Sequence, residues 1–371
     1  MISRVAAGET PAGDAATGPY GTIAVIGAGA WGTALALVAA RAGRRVRLWG
    51  RNPEDIATIS KTGVNLRYLP GIHLPDGIVA TSDMAEALRG ADCVLLVTPS
   101  VTLREICRQV APHIEPAAPV VLCAKGIETG SGKLLSEVAS EELPRHAIGA
   151  LSGPTFARET ALNYPTAVTL AFPFAQADRR APHAAPASRL ALSLGSDAFR
   201  PYVSDDLVGV EVAGAVKNVI AIACGMMTGA GFAENTRAAL ITWGIDEMKM
   251  MAEALGGRRE TIAGLSGIGD LTLTCSSTTS RNMHFGVQLG EGIARENVFE
   301  GNPVVVEGEV NAISVIDLAD RIGVAMPVSR AVHDILHAGA DLRQTFARLW
   351  SRPITAENKF LNLALEHPTA G

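Results

Sequence analysis

At 371 residues the chain is long enough for two domains, each with a core of its own. A hydrophobic share of 48% against 19% charged residues places it among aliphatic globular proteins and excludes a disordered chain. The net charge of −5 leaves no basic footprint for nucleic acid, so any anion site must be argued from single basic residues.

Residues 1–20 are rich in Ala, Gly, Thr and Pro and lack the apolar core of a signal peptide; a disordered leader is expected there. The five cysteines are scattered and form no CxxC, which suits free thiols in a reducing, cytoplasmic setting. Four lie in apolar surroundings, and Cys275 is expected in a polar turn.

From residue 22 the chain alternates short apolar strands with helical stretches. TIAVIG (22–27), RRVRLWG (44–50), GIVAT (77–81), ADCVLLVTPS (91–100) and APVVLCAKG (118–126) read as strands, with a further helix around 131–142. This pattern predicts an α/β fold with a Rossmann-like doubly wound parallel sheet over residues 21–205. Continuous runs such as CVLLV and VVLC suit strands covered on both faces. Gly27-Ala28-Gly29-Ala30-Trp31-Gly32 is a GxGxxG at the first strand-to-helix turn, where glycines let a pyrophosphate approach the backbone and the helix N-terminus supplies N–H groups. The tip of the second strand, Trp49-Gly50-Arg51-Asn52, carries no carboxylate to grip a ribose 2′-OH, while Arg51 can meet a 2′-phosphate. That favours NADP(H), with NAD(H) also accepted. Ligands of such sheets sit beyond the carboxyl ends of the strands, where VTPS (97–100) and Lys125 fall. SGPTFARE (152–159) adds a small-residue turn into a helix, with Thr155 free to hold a polar substrate. The stretch 173–190 reads as a surface connection without chemistry.

From Asp206 onward the patterns turn helical, at 207–227, 235–255, 305–323, 327–340 and 341–350, predicting an all-helical C-terminal domain over 206–371. Between Val212 and Met227 every residue is apolar or small except Lys217 and Asn218. Lys217 either snorkels its head to water or faces a cleft where burial lowers its pKa. The run is too short and interrupted for a membrane span, which needs about 20 apolar residues. GLSGIGDLTLTCSSTTSRN (264–282) reads as a loop that sets Asp270 among glycines and ends in Ser280-Arg281-Asn282, ahead of a helix whose N-terminus suits a phosphate. His333 and His337 stand i, i+4 in HDILH, but a Glu general base and a third ligand are missing, so no metal is expected.

In order along residues 20–345, GAGAWGTALA, LWGRN, YLPGIHLP, AKGIE, SGPTFARE, GVEVAGAVKNVIAIACG, AALITWGIDEM, GLSGIGDLTLTC, SSTTSRN and VVVEG resemble the bacterial-type NAD(P)-dependent glycerol-3-phosphate dehydrogenases. The resemblance implies reversible reduction of dihydroxyacetone phosphate to sn-glycerol 3-phosphate for glycerophospholipid synthesis. It implies Lys217 as the acid/base, oriented by Asn218 and Asp270, with Lys125 touching both cofactor and substrate. Gly153, Thr155, Asp270, Ser280, Arg281 and Asn282 would complete the substrate site. Gly27, Gly29, Ala30, Trp31, Gly32, Arg51, Tyr68, Ala157, Arg281, Val305 and Glu307 would meet the cofactor. One departure stands out: the family usually has an arginine two residues after VEG, whereas Glu309-Val310 follows Gly308 here. A small-molecule substrate, no nucleic acid, no membrane insertion and a homodimer are the expected partners. The rival readings are a related two-domain dehydrogenase for a 3-hydroxyacid and a non-catalytic NADP-binding sensor.

Overall fold

A computed structural model describes residues 17–356 and 363–367. The first half runs β1 (Thr22–Ile26), α1 (Ala30–Arg41), β2 (Arg45–Trp49), α2 (Pro53–Thr62), β3 (Ile78–Thr81), α3 (Met84–Leu88), β4 (Cys93–Leu96) and α4 (Leu103–Val110). It continues with β5 (Val120–Leu122), α5 (Leu135–Glu142), β6 (Ile148–Ser152), α6 (Ala157–Ala161), β7 (Thr166–Ala171), α7 (Gln176–Arg180), α8 (Pro186–Leu194) and β8 (Phe199–Ser204). These eight strands form one sheet in the order β3-β2-β1-β4-β5-β6-β7-β8. The strand order reverses between β1 and β4, which opens a crevice at the carboxyl ends of both.

Adjacent strand residues point to opposite faces, and both faces are covered. Val25, Leu95 and Val121 pack with α1 and α8 on one side. Ile26, Leu96 and Leu122 pack with α4 and α5 on the other. Helix α4 shows how the sequence dictates this: Leu103, Ile106, Cys107 and Val110 recur at i, i+3, i+4 and i+7, and all four are buried.

The sheet departs from the expected all-parallel form, because β6 and β7 pair antiparallel before β8 returns parallel to β7. The 173–190 stretch is likewise more than a surface connection. It holds α7 and the start of α8, and its Ala185, Ala187 and Leu190 are fully buried. Of the expected leader, residues 1–16 lie outside the described residues, whereas Tyr20 is buried, donates its N–H to Ser193 Oγ at 2.8 Å and lies under the Arg189 guanidinium.

The second half comprises α9 (Leu207–Gly229), α10 (Glu234–Ala254), α11 (Arg259–Ile262), a π-turn at Leu265–Gly269, α12 (Asp270–Cys275) and α13 (Arg281–Gly290). It ends with α14 (Glu307–Ile322), α15 (Pro327–His337), α16 (Leu342–Trp350) and a small antiparallel pair, β9 (Ile354–Thr355) and β10 (Ala364–Leu365). That pair corrects the all-helical expectation. The expected loop 264–282 is mostly helical, and Cys275 is fully buried rather than set in a polar turn. All five cysteines are free and buried.

Helix α9 is the axis of this half. Its apolar run is long enough, at 23 residues, to cross a membrane, but 94% of its most apolar stretch is buried inside the protein. Asp206 caps it by accepting the Gly209 N–H at 2.9 Å. An apolar surface all round explains its central place. Glycines set its crossing with α13: a Cβ on Gly225 would lie 2.2 Å from the Met283 carbonyl oxygen, and one on Gly286 2.3 Å from that of Ile222. The two backbones therefore touch, and the start of α13 is held in fixed relation to Lys217.

Two carboxyl groups are spent inside the fold. Glu247 on α10 accepts N–H bonds from Val328 and Ser329 and the Ser329 hydroxyl, capping α15 from a distance. Glu211 on α9 does the same for Ser136 at the head of α5. Burial pushes each up from the usual 4.5 to about 7. Between those values the native state holds a proton the unfolded chain has released, so each group costs stability as pH rises through this window. At the full shift from 4.5 to about 7 the cost is roughly 3 kcal/mol per group. The Glu247→Gln protein is therefore expected to melt below wild type at pH 4.5 and to close that gap by pH 8, measured as thermal midpoints across the range.

Candidate active site

The glycine turn has the geometry of a dinucleotide cradle. Gly27 turns the chain with φ +127°, where a Cβ would lie 2.8 Å from the Val97 carbonyl oxygen. A Cβ on Gly29 would meet nothing within 4 Å, so this face of the turn is open to a ligand. A Cβ on Gly32 would lie 1.8 Å from the Gly27 carbonyl oxygen, so only glycine lets α1 pack on β1. The N-cap of α1 is Gly29, without a side-chain cap or an acidic residue in the first turn. Its leading N–H groups and the positive end of its dipole are thus left free for an anion. Ala30 and Trp31 open the helix, and Ala157 at the start of α6 packs in the same small cluster as Trp31. Across the crevice, the buried Thr98 hydroxyl just beyond β4 has no hydrogen-bond partner, as expected of a group kept for a ligand.

Arg51 follows β2 as an exposed side chain, and Asn52 caps α2 by accepting the Glu54 N–H at 2.8 Å. Tyr68 is 45% exposed under the Arg67 guanidinium. On the far wall, Val305 is 53% exposed and Glu307 begins α14. A cleft of about 210 Å³ separates Val304–Val306 from Pro99, Ser100 and Val101 after β4. At the departure noted after VEG, Glu309 and Val310 both line this cleft, and Glu309 pairs through both oxygens with Arg295.

The chemistry concentrates in a buried charge cluster. Lys217 is 6% exposed and donates to Asp270 Oδ1 and Thr274 Oγ1, both at 2.8 Å. Lys125, at the tip of β5, reaches Asp270 Oδ2 from the sheet side, its stem packed on Gly214 of α9. Asp270 is 2% exposed and stands where the π-turn passes into α12. Burial lowers the Lys217 pKa, and the Lys125 charge pushes it the same way against the pull of Asp270. Burial would raise the Asp270 pKa, but the two ammonium groups outweigh it and hold the carboxyl below its ordinary range. One anion between two cations leaves a net positive charge in a water-poor place, which stabilises negative charge developing on an oxygen.

Asn218 does not orient Lys217. Its Oδ1 accepts from Asn282 Nδ2 at 2.9 Å and its own amide points to Glu307 Oε2 at 3.4 Å. Asn282 Oδ1 in turn accepts the Gly308 N–H at 2.9 Å, so these amides tie together α9, α13 and α14. Ser280 is the N-cap of α13, accepting the Met283 N–H at 3.3 Å. Arg281 heads the helix as an exposed side chain without an ion pair among the described residues. The turn bearing Gly153 and Thr155 abuts the π-turn, with Pro154 3.6 Å from a Cβ placed on Gly269. Thr274 was not singled out from sequence, although it lies one turn after Asp270 and so on the same helix face. His333 and His337 bond to Asp334 and to the Glu309 carbonyl. Among the described residues no three His, Cys, Asp or Glu side chains gather as a metal site.

Known proteins resemble this chain in sequence and fold. The sequence profile of the NAD-dependent glycerol-3-phosphate dehydrogenase N-terminus matches residues 22–178, and that of its C-terminus matches residues 206–347. The chain belongs to the NAD-dependent glycerol-3-phosphate dehydrogenase family. The glycerol-3-phosphate dehydrogenase [NAD(P)+] of Rhodospirillum rubrum is 48% identical over 348 residues, covering 94% of this chain and 97% of the relative. The corresponding protein of Caulobacter vibrioides is 48% identical, covering 90% and 98%. The solved glycerol-3-phosphate dehydrogenase of Coxiella burnetii superposes with a TM-score of 0.83 at 39% identity, covering 90% of this chain and 99% of that one. That of Saccharomyces cerevisiae gives 0.78 at 26% identity, covering 89% and 99%. Membership makes the protein a nicotinamide-dependent oxidoreductase with a Rossmann sheet and a helical second half.

Proposed function

We propose that this protein interconverts dihydroxyacetone phosphate and sn-glycerol 3-phosphate, using NADPH by preference and NADH as well, in the cytoplasm. The reading divides the chain into a cofactor domain over 21–205 and a catalytic domain over 206–371. The observation that carries it is the Lys217–Asp270–Lys125 cluster, which joins the strand tips of one to the central helix of the other.

The cofactor, when bound, supplies the hydride that reduces the C2 carbonyl of the substrate. Gly27, Gly29, Ala30, Trp31 and Gly32 cradle its pyrophosphate, Arg51 and Tyr68 take its adenosine end, and Lys125, Ala157, Arg281, Val305 and Glu307 meet the rest. As negative charge grows on the C2 oxygen, Lys217 Nζ gives it a proton and becomes neutral. Its lowered pKa makes that transfer easier than from an ordinary ammonium. Asp270 and Thr274 hold the nitrogen in place, and Lys125 adds positive charge beside the oxygen. Gly153, Thr155, Ser280, Arg281 and Asn282 grip the rest of the substrate. The phosphate sits at the head of α13, so binding energy far from C2 fixes the reacting geometry.

Assays of nicotinamide oxidation test both parts of the reading. Dihydroxyacetone phosphate is expected to drive turnover, and a 3-oxoacid to drive none; the reverse result would move the chain to the hydroxyacid reading. Replacing Arg51 by alanine is expected to raise KM for NADPH about 10- to 100-fold, the worth of a charge-assisted contact, and to leave KM for NADH nearly unchanged. Equal changes with both cofactors would remove Arg51 from the 2′-phosphate.

A further inference from the structure

Asn65 lies in the loop after α2, is 1% exposed, and has no place among the groups assigned so far. Its amide is nearly saturated. Nδ2 donates to the Ala28 carbonyl oxygen at 2.9 Å and to Thr33 Oγ1 at 2.8 Å, while Oδ1 accepts the Tyr68 N–H at 3.2 Å. One buried side chain thus grips the glycine turn, the first turn of α1 and the loop carrying Arg67 and Tyr68. That loop is tied in turn to the first turn of α2, through Arg67 Nη1 and Asp55 Oδ2 at 3.1 Å, directly after Arg51.

The contact with Ala28 has a consequence for anion binding. A trans peptide is planar, with its C=O and the following N–H pointing in opposite directions. Holding the Ala28 oxygen towards the buried Asn65 therefore aims the Gly29 N–H the other way, away from the protein interior. Were this peptide to flip, a carbonyl dipole would face the anion instead of a donor. We propose that Asn65 is a positioning residue of the cofactor site, fixing the Ala28–Gly29 peptide in the orientation that receives a pyrophosphate. The proposal rests on the reading of the glycine turn as a dinucleotide cradle.

Titration of wild type, Asn65→Ala, Asn65→Asp and Thr33→Val with NADPH and NADH tests it, beside thermal midpoints and steady-state kinetics. Asn65→Asp keeps the shape and the acceptor for Tyr68 but removes both donated bonds. In both Asn65 variants, Kd is expected to rise about tenfold, by the same factor for either cofactor. KM for dihydroxyacetone phosphate, and kcat at saturating cofactor, should stay within about twofold. Thr33→Val removes one acceptor of the same amide, and a rise of about two- to fivefold is expected. A purely structural role would lower the thermal midpoint and leave Kd unmoved in the folded Asn65 variants, which would overturn the proposal. An unmoved Kd in Thr33→Val would overturn it where the Asn65 variants do not fold. Wild type that bound neither NADPH nor NADH would instead sink the reading of the cradle itself.

Discussion

The Lys217→Met enzyme is expected to reduce dihydroxyacetone phosphate with kcat lowered about 10²- to 10⁴-fold, the worth of a positioned general acid. Methionine fills the same volume, and Asp270 keeps its contact with Lys125, so fold and cofactor affinity should survive. The wild-type pH dependence has a definite sign. Reduction needs Lys217 protonated and oxidation needs it neutral. Because its pKa lies below the usual 10.5, the rate of reduction should fall as pH rises through that lowered value while the rate of oxidation climbs. The methionine variant should lose both limbs.

Replacing Asp270 by asparagine should cost more of the structure. Two ammonium groups share this one carboxylate, and Lys217 is almost fully enclosed. Removing one partner of a buried ion pair typically costs about 3–5 kcal/mol because the remaining charge is stranded. The expected loss is of that size near neutral pH, read as a lower denaturant midpoint. A lysine stranded in an apolar place has its pKa pushed further down, so the native state sheds protons that the unfolded chain keeps. Stability of the variant should therefore recover relative to wild type as pH rises into the alkaline range. Its kcat should fall too, since Lys217 then has only neutral acceptors, the new amide oxygen and Thr274, to hold it.

Much of this was legible in the sequence where the physics is local. Runs such as VLL and VVL suit strands covered on both faces, and each places neighbours in the two opposite cores. The glycine turn was readable because its three positions do separate jobs: a positive φ, an open face and a close backbone approach. Lys217 stood out as a lone charge in an apolar run. Strand β8, FRPYVS, escaped because it lies at the sheet edge, is mostly exposed and shows no alternation. The π-turn before Asp270 escaped because Gly-Ile-Gly reads as a loop, and its helical winding comes from packing against α9 and α11. The contacts that make the site are the least local of all. Lys125 and Asp270 lie 145 residues apart, and the resemblance named both without saying that they touch. Asn218 was expected beside Lys217 because it is next in sequence, but successive helix residues diverge by about 100°, which turns its amide toward Asn282 and Glu307. Thr274 carried only its one-turn spacing from Asp270, and Asn65 no signal beyond being polar between apolar neighbours.

The central claim is that Lys217 supplies the proton while a nicotinamide supplies the hydride to the carbonyl of dihydroxyacetone phosphate. The most direct measurement is the loss of nicotinamide absorbance when that substrate is added to NADPH and enzyme, with wild type and Lys217→Met run side by side at saturating cofactor. Rapid loss in wild type, slowed at least a hundredfold in a variant that still binds NADPH, is the expected result. Equal rates in the two proteins would show that the proton comes from another group, and the role given to this buried lysine would be wrong.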